Sequence, residues 1–326
     1  MEVSVELAEC FDLGHDADIG VLRRRFAALA SKAGLDESRT SDASIVAAEL
    51  ASNVIKHAQH GGALVGARGG EPVIAAWDRG PGMNVEACLR DGVSTAGTAG
   101  HGLGAVARLA TWWDAYAPPG GGSIVAAGMA AAPASAFELG CVCVPYPGLE
   151  VSGDAWDVHV AGDVATLMVV DGLGHGDGAA DAAAAVIRAF RVRPDDALPS
   201  ILTRAHAAAR PTRGAAATCV RVFRSTGLAT VAGVGNVGAW IVAGRTRQLV
   251  TQHGTLGQVL PNVREETHEF PPGAHLVVCS DGIKSRGFGD TADLFAHRPA
   301  TIATALWRDY RRDRDDTTVV VVRGAR

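Results

Sequence analysis

Four acidic residues stand at the ends of apolar segments, and this repeated placement constrains the fold of the chain more than any other feature. Strands that share a core bring their ends together at an edge, so acids far apart in sequence can converge there. Converging carboxylates repel one another, and Mg²⁺ or Mn²⁺ relieves that repulsion. Any one of them alone is more typical of a solvated turn. The four are Asp154 after Ser152-Gly153, Asp171 after Val169-Val170, Asp281 after Leu276–Ser280, and Asp315 before Thr317–Val322.

Together, in this order and with these flanks, the acids resemble the type-2C metal-dependent protein phosphatases, most closely the bacterial branch typified by SpoIIE and RsbX. The resemblance covers residues 137 to 326. It includes Arg213-Gly214-Ala215-Ala216-Ala217-Thr218 entering a strand and Val234-Gly235-Asn236-Val237 as a turn inside a hairpin.

The resemblance implies two Mn²⁺ or Mg²⁺ ions about 3.5 to 4 Å apart that activate a water for in-line attack on phosphorus. Asp315 is preferred to Asp316 as a ligand, although Asp316 could substitute for it. Asp157 is a weaker candidate that more typically supports a ligand or lies at the surface, and His175 is either a proton donor or merely exposed. Arg213 is the only arginine that we would test as a phosphate clamp. The implied ligands are Asp154, Asp171, the carbonyl of Gly172, Asp281 and Asp315.

The rest of the second half predicts helices grouped apart from antiparallel strands. Alanine-rich residues 179 to 191 indicate a helix, residues 198 to 209 a second one, and strands dominate from 217 to 249. This grouping favours a β-sandwich flanked by helices, the α-β-β-α sandwich of the phosphatase fold.

In the first half, two helices are predicted. Residues 18 to 32 place Ile19, Leu22, Phe26 and Leu29 on one buried face. Thr40-Ser41-Asp42 indicates the start of the next helix, on which Glu49, Asn53 and His57 form a polar stripe beside apolar Ile45, Val46, Leu50 and Val54. Such a stripe alone is more typical of a solvated helix face.

Glycine motifs follow this stripe. A hairpin through Gly69-Gly70-Glu71-Pro72 leads into an apolar strand that ends at Asp78-Arg79-Gly80-Pro81-Gly82. Then come Asp91-Gly92-Val93-Ser94-Thr95-Ala96-Gly97 and Gly100-His101-Gly102-Leu103-Gly104, the latter opening a helix over 105 to 109. Each motif alone is weak evidence for a nucleotide site.

The ordered set resembles the GHKL (Bergerat) ATP-binding fold, an α/β sandwich, and in spacing the anti-sigma and switch kinases RsbW and RsbT, over residues 15 to 130. The resemblance implies ATP with Mg²⁺: Asn53 is the Mg²⁺ ligand and Asp78 the acceptor for the adenine amino group. Glu49 is the base that takes the proton from a protein serine or aligns an attacking water, and His57 either contacts phosphate or merely extends the helix face. Glycine turns that open a helix suit phosphate oxygens. The implied cofactor-binding residues are Asn53, His57, Asp78, Gly80, Gly82, Thr95, Gly100, Gly102, Leu103 and Gly104.

Length and composition agree with two domains in an α+β chain. The 326 residues are 48% hydrophobic and 20% charged, and the small-residue segment 130 to 136 is the expected linker. We predict a GHKL domain over 1 to 132 and a phosphatase domain over 133 to 326. The net charge of −5 without a basic block argues against nucleic acid or a membrane as partner.

The expected location is the cytoplasm, because the chain has no long apolar run and its first residues are acidic. We therefore expect the six cysteines to be mostly buried, reduced thiols. Cys141 and Cys143 should point to one face of a strand.

Two functions remain open. The first is a bifunctional partner-switching regulator in bacterial stress or sigma-factor signalling, with a serine kinase-like domain and a phosphoserine phosphatase acting on one STAS-domain protein. The second is a phosphatase whose first domain only binds nucleotide and a partner, such as a sigma factor or switch protein. A scaffold with decayed sites is disfavoured, because it does not need converging carboxylates.

Overall fold

The computed structural model describes residues 4–58, 60–89, 102–130, 136–284 and 292–324. The chain divides into two compact units. One comprises Ser4–Pro133 with Ala300–Ala305, and the other comprises Ala134–Pro299 and Leu306–Arg326.

Both halves of the chain contain helices and strands. In the first half they are β1 Ser4–Leu7, β2 Glu9–Asp12, α1 Asp16–Lys32, α2 Glu37–His57, β3 Gly61–Arg68, β4 Glu71–Asp78, α3 Val85–Cys88, α4 Gly102–Leu109, β5 Trp112–Tyr116 and β6 Ile124–Gly128. In the second they are β7 Phe137–Val144, β8 Asp154–Ala161, β9 Val164–Gly172, α5 Asp177–Val192, α6 Leu198–Ala209, β10 Ala215–Phe223, β11 Leu228–Val234, β12 Gly238–Val242, β13 Thr246–Leu249, β14 Glu266–Glu269, β15 His275–Cys279, α7 Pro299–Tyr310 and β16 Thr317–Gly324.

The first unit contains a five-stranded sheet in the order β2-β3-β4-β6-β5. Apolar residues of α1, α2 and α4 form one core with this sheet, around Leu22, Phe26, Leu50 and Val106. The predicted hairpin is confirmed: β3 and β4 pair with Arg68 opposite Glu71, and Gly69 and Gly70 have φ of 63° and 82°. Two successive positive φ angles define the tight turn that suits the twist of paired strands.

The start predicted for the second helix is wrong. α2 begins at Glu37, since the Asp36 carboxylate accepts a hydrogen bond from the Arg39 amide at 2.8 Å and so caps the helix before the predicted signal. Val46, Leu50 and Val54 are buried as expected, whereas Ile45 is 42% exposed. Ile45 therefore lies outside the buried apolar face of α2.

The second unit contains two facing sheets. One has the strands β7-β16-β15-β12-β13 in that order, and the other has β14-β11-β10-β9-β8. Their inner faces share a core that includes Leu139, Trp156, Leu167 and Val278, and α5 and α6 pack with the outer face of the second sheet. The predicted mixed fold with a helix-flanked sandwich is confirmed.

Residues 234 to 237 do not form the predicted hairpin turn. β11 and β12 belong to different sheets, so this segment is a crossover between them. Gly235 has φ of 97° and its amide donates to the Gln252 carbonyl at 2.9 Å, while the Val237 carbonyl accepts from Thr218 Oγ1 at 2.6 Å. These bonds lead the chain from one sheet to the other rather than back along the first.

All six cysteines are free, and Cys141, Cys143, Cys219 and Cys279 are buried. Cys141 and Cys143 face the same inter-sheet core, as predicted. Across the described ranges, no helix is long and apolar enough to cross a membrane.

Candidate functional site

The strand pair β8–β9 places two of the predicted acids side by side. Asp154 and Asp171 are direct partners in the antiparallel register, and Gly172 follows Asp171 opposite Ala215 of β10. Asp154 is 5% exposed, and Asp171 is half-buried. The Gly172 amide donates to the Gly153 carbonyl at 3.1 Å, which joins the two turns that carry these acids.

The other acids lie on two turns: Asp281 follows β15, and Asp315 and Asp316 precede β16. Three glycines allow the backbone around the acids to pack closely. A Cβ on Gly282 would lie 1.9 Å from the Asp316 carbonyl oxygen, so only glycine fits beside Asp281. A Cβ on Gly153 would lie 2.7 Å from Asp316 Oδ2, and one on Gly172 would lie 2.1 Å from the Ala179 carbonyl. The Asp-Gly and Gly-Asp pairs are therefore packing requirements as well as turns.

Hydrogen bonds from neighbouring turns hold these side chains. Asn236 Nδ2 donates to Asp281 Oδ2 at 2.7 Å, and the Tyr146 amide donates to Asp316 Oδ1 at 2.9 Å. The Ser280 amide donates to the Thr318 carbonyl at 3.1 Å. Asn236 stands out in the sequence only as a turn residue, and its position in the crossover between sheets is what brings it to Asp281.

Burial and mutual repulsion raise the pKa of these carboxyl groups. Burial raises the pKa of Asp154 to about 7, with further contributions from Asp316 and Asp281 that the hydroxyl groups of Ser280 and Thr318 oppose. Burial and then Asp154, Asp281, Asp315 and Asp316 raise the pKa of Asp171 to about 9. Burial, Asp281 and Asp316 also raise the pKa of Asp315. The predicted acids therefore act on one another electrostatically, and Asp316 joins them.

The donor chemistry of this cluster fits a hard divalent cation. Asp154 Oδ2 and Asp316 Oδ2 are buried and have no hydrogen-bond partner among the described residues, and an unpaired buried carboxylate oxygen is costly. Within the described segments, no group of three or more His, Cys, Asp and Glu side chains is arranged to hold an ion as it stands. The carboxylates are thus near enough to raise one another's pKa, but in the described segments their side chains do not surround one common position.

Asp316 is more deeply buried than Asp315, the ligand that the sequence favours. It is 3% exposed, whereas Asp315 is only partly buried. Asp157, the weaker candidate, is held in an ion pair with Arg191 of α5 and so has a structural role. The exposed His175 ring stacks on Tyr146 with ring centroids 4.8 Å apart.

Two arginines lie near the turns of the cluster. A Cβ on Gly178 would lie 2.6 Å from Arg213 Nε, so the Arg213 guanidinium covers the start of α5. Arg312 Nε donates to the Asp281 carbonyl at 2.8 Å, and its charge lowers the pKa of Asp315 against the effect of burial. Arg312 does not stand out in the sequence, because nothing in its local pattern shows that contact.

In the first unit, the second half of α2 meets two of the predicted glycine motifs. A Cβ on Gly102 would lie 3.0 Å from Asn53 Oδ1, so the Asn53 carboxamide rests against the start of α4. A Cβ on Gly80 would lie 3.4 Å from the His57 carbonyl oxygen. Glu49 and Asn53 are half-buried, and His57 is exposed.

Asp78 closes this arrangement at the end of β4. Its Oδ1 accepts from the Gly80 amide at 2.7 Å and the Ser123 amide at 3.2 Å. Gly82 has φ of 82° and lies against the Pro118 carbonyl, where a Cβ would be 2.6 Å away.

The remaining candidates of this site differ in what they can offer. The Leu103 side chain is in the apolar core, and Gly104 is buried, so any contact with nucleotide would use backbone groups. Thr95 and Gly100 lie outside the described residues, as does most of the motif from Asp91 to Gly104.

Two family models match the sequence. One, described as histidine kinase-like ATPase domain, matches residues 15–126, and the other, described as stage II sporulation protein E (SpoIIE), matches residues 161–324, about half of the chain. No curated protein matches the sequence.

Solved structures share the fold of the second half. One, from work entitled "The bacterial stressosome: a modular system that has been adapted to control secondary messenger signaling", is 29% identical with a TM-score of 0.55 and is matched over 58% of this chain and 100% of its own. RsbX in complex with magnesium is 19% identical with a TM-score of 0.51, over 59% of this chain and 96% of its own. The RsbU and RsbW domains of Rv1364c from Mycobacterium tuberculosis are 18% identical with a TM-score of 0.50, over 58% of this chain and 61% of their own.

Proposed function

This chain belongs to the stage II sporulation protein E (SpoIIE) family, and from that premise we propose that it is a Mn²⁺- or Mg²⁺-dependent phosphoserine phosphatase of a partner-switching pathway. The observation that carries the proposal is that Asp154 and Asp171 are direct register partners and that the turns of Asp281 and Asp316 pack at the same edge of the sandwich, where Asp315 also lies in the chain. Five acids at such an edge have no evident structural use, because their repulsion destabilises the fold.

The proposed ligands are those inferred from the sequence: Asp154, Asp171, the Gly172 carbonyl, Asp281 and Asp315. When bound, two divalent ions would neutralise the carboxylates and supply an activated water for attack on phosphorus. The chain's own part is to place the acids: the β8–β9 register sets Asp154 and Asp171, and Asn236 orients Asp281. Asp316 Oδ2, which is buried and has no partner in the described part of the chain, is a further candidate donor.

For the first unit, proposed as residues 1 to 132, we infer ATP binding with Mg²⁺. The contact of Gly102 with Asn53 supports it, because it places a possible Mg²⁺ ligand at a helix start that can receive phosphate oxygens. Glu49, one turn before Asn53 on α2, is the proposed base for transfer to a protein serine. Phosphoryl transfer depends mainly on positioning and charge neutralisation, so one base and one metal suffice.

The proposed substrate of both sites is a STAS-domain phosphoprotein. Support comes from Rv1364c, whose solved structure contains an RsbU and an RsbW domain, and from the similarity to a structure from the bacterial stressosome. Tethering a kinase-like domain and a phosphatase domain, the latter over residues 133 to 326, raises the effective concentration of each for a shared substrate, to the order of millimolar for a short linker. A cytoplasmic location follows from that role.

Two inactivated forms of the full chain test this proposal with a candidate STAS protein. Glu49→Ala should only dephosphorylate the protein, and Asp171→Asn should only phosphorylate it, as followed by phosphoserine mass spectrometry. If the Asp171→Asn chain transfers no phosphate to any STAS protein but still binds ATP, the first domain is a nucleotide- and partner-binding module. That outcome is the second candidate function, and the phosphatase assignment is unaffected by it.

A further inference from the structure

Arg312 is fixed to the turn that carries Asp281. Its amide donates to the Gly282 carbonyl at 2.7 Å, and its Nε donates to the Asp281 carbonyl at 2.8 Å. Both bonds use backbone carbonyls, and among the described residues no carboxylate forms an ion pair with the Arg312 guanidinium. The side chain is therefore held in place although Arg312 is an exposed residue.

The charge of Arg312 reaches the acidic cluster. Asp281 is one of the acids of this cluster, and Arg312 Nε lies 2.8 Å from its carbonyl oxygen. The guanidinium thus lies beside the turn that carries Asp281, on an exposed residue. A phosphate dianion that approaches this cluster meets repulsion from the carboxylates, and a fixed cation at the entrance reduces it.

Within the described part of the chain, the end of the Arg312 guanidinium has no hydrogen bond. Its Nε is the only side-chain nitrogen with a hydrogen bond to a described residue, so both terminal nitrogens have N–H donors that no described residue uses. A planar pair of such nitrogens matches two oxygens of a phosphoryl group, and hydrogen bonds between charged partners are stronger than neutral ones.

The neighbouring arginines are engaged differently. Arg311 stacks over the Trp307 ring at 4.1 Å and donates from Nη1 to the Arg308 carbonyl at 3.3 Å. Arg314 is exposed and has no side-chain contact of this kind with a described residue. Arg213 lies on Gly178, at the turn that follows β9.

We propose that Arg312 binds the phosphoryl oxygens of the phosphoserine substrate and so determines recognition of the phosphorylated state. The inference rests on the proposed phosphatase function and assigns its phosphate-recognition residue. Arg312 contacts the substrate and not the attacking water, so its loss should act mainly on KM.

The test compares Arg312→Gln, Arg312→Lys and the control Arg314→Gln in the full chain. We expect Arg312→Gln to raise KM for a phosphoserine peptide roughly tenfold or more, because a charge-assisted bidentate contact is lost. Arg312→Lys should recover part of that loss, since it keeps the charge but not the planar fork. Arg314→Gln should behave as the wild type.

A second readout does not require turnover. Calorimetry of the metal-free proteins with the same phosphoserine peptide and with its unphosphorylated form should show binding of only the former, weakened by Arg312→Gln. Mn²⁺ affinity should change much less than peptide binding, because the contacts of Arg312 within the described residues are to backbone carbonyls and not to the ligand carboxylates.

The outcomes separate the alternatives. If Arg312→Gln leaves both KM and peptide binding unchanged, or lowers Mn²⁺ affinity and the melting temperature while KM is unchanged, Arg312 only braces the Asp281 turn and the inference is overturned. If the wild type with Mn²⁺ hydrolyses no phosphoserine peptide, the proposed phosphatase function fails instead. The metal-free binding comparison then still decides the role of Arg312.

Discussion

Asp154 and Asp171 are direct register partners on the antiparallel strands β8 and β9, so two carboxyl groups lie side by side in a largely buried place. Their pKa values are raised to about 7 and about 9, first by burial and then by the other acids. The folded, metal-free chain therefore holds protons that the unfolded chain releases.

The first prediction follows from the sign of these shifts. Between about pH 4 and 9 Asp154 and Asp171 bind more protons in the folded state than in the unfolded state, so the contribution of these two acids to the stability of the metal-free protein falls as pH rises through this window. We expect its melting temperature to fall from about pH 6 to pH 9, and Mn²⁺ to raise it more at about pH 8.5 than at pH 6. A metal-free melting temperature that rises with pH in this window, or falls as steeply in Asp171→Asn, would contradict the assignment.

A second prediction concerns Gly282. In Gly282→Ala the new Cβ would lie 1.9 Å from the Asp316 carbonyl oxygen, so backbone must move apart. We expect a destabilisation of about 1–3 kcal/mol and weaker Mn²⁺ binding, measured by denaturant unfolding and calorimetry. Gly324→Ala is the matched control, because its nearest neighbour would be 3.9 Å away. Equal stability of the two variants would show that Gly282 does not pack against the Asp316 backbone.

A third prediction tests the nucleotide site in the full chain. Gly102→Ala should displace the Asn53 carboxamide, and Asn53→Ala should remove it, so both should weaken Mg²⁺-dependent ATP binding in calorimetry. Gly20→Ala is the control, since its Cβ would meet only the flexible end of Arg24 at 3.4 Å. ATP binding that is unaltered in Asn53→Ala would remove Asn53 from the site.

A fourth prediction concerns acid stability. His275 is 3% exposed, and burial followed by the charge of Arg323 lowers its pKa to about 4. The folded state prefers the neutral ring. The contribution of His275 to the free energy of unfolding is therefore complete above about pH 6.5 and is lost as pH falls towards 4. In His275→Gln the loss of unfolding free energy between about pH 6.5 and 4 should be smaller than in the wild type, by up to the order of 3 kcal/mol. An unchanged slope between about pH 6.5 and 4 would contradict the buried, neutral histidine.

The sequence predicts the strand-end acids because apolar segments followed by Asp are local patterns, and the hairpin at Gly69-Gly70 because consecutive glycines favour one turn type. It does not predict that residues 234 to 237 cross between sheets, since a glycine turn has the same pattern whether or not its flanking strands pair. The roles of Asn236 and Arg312 depend on turns that meet only in the folded chain. The sequence likewise does not show that Gly282 lies against the Asp316 backbone. It therefore favours Asp315 as the ligand on its local pattern alone.

The most direct test of the central claim is phosphate release from a phosphoserine protein by the full chain, titrated with Mn²⁺ and compared with Asp171→Asn. We expect release that depends on Mn²⁺, stops with a chelator, and falls at least about a hundredfold in Asp171→Asn, in line with the roughly 10- to 100-fold effects known for weaker, indirect changes at metal sites. Full hydrolysis in the presence of chelator, or undiminished hydrolysis by Asp171→Asn, would contradict a metal-dependent phosphatase centred on these acids.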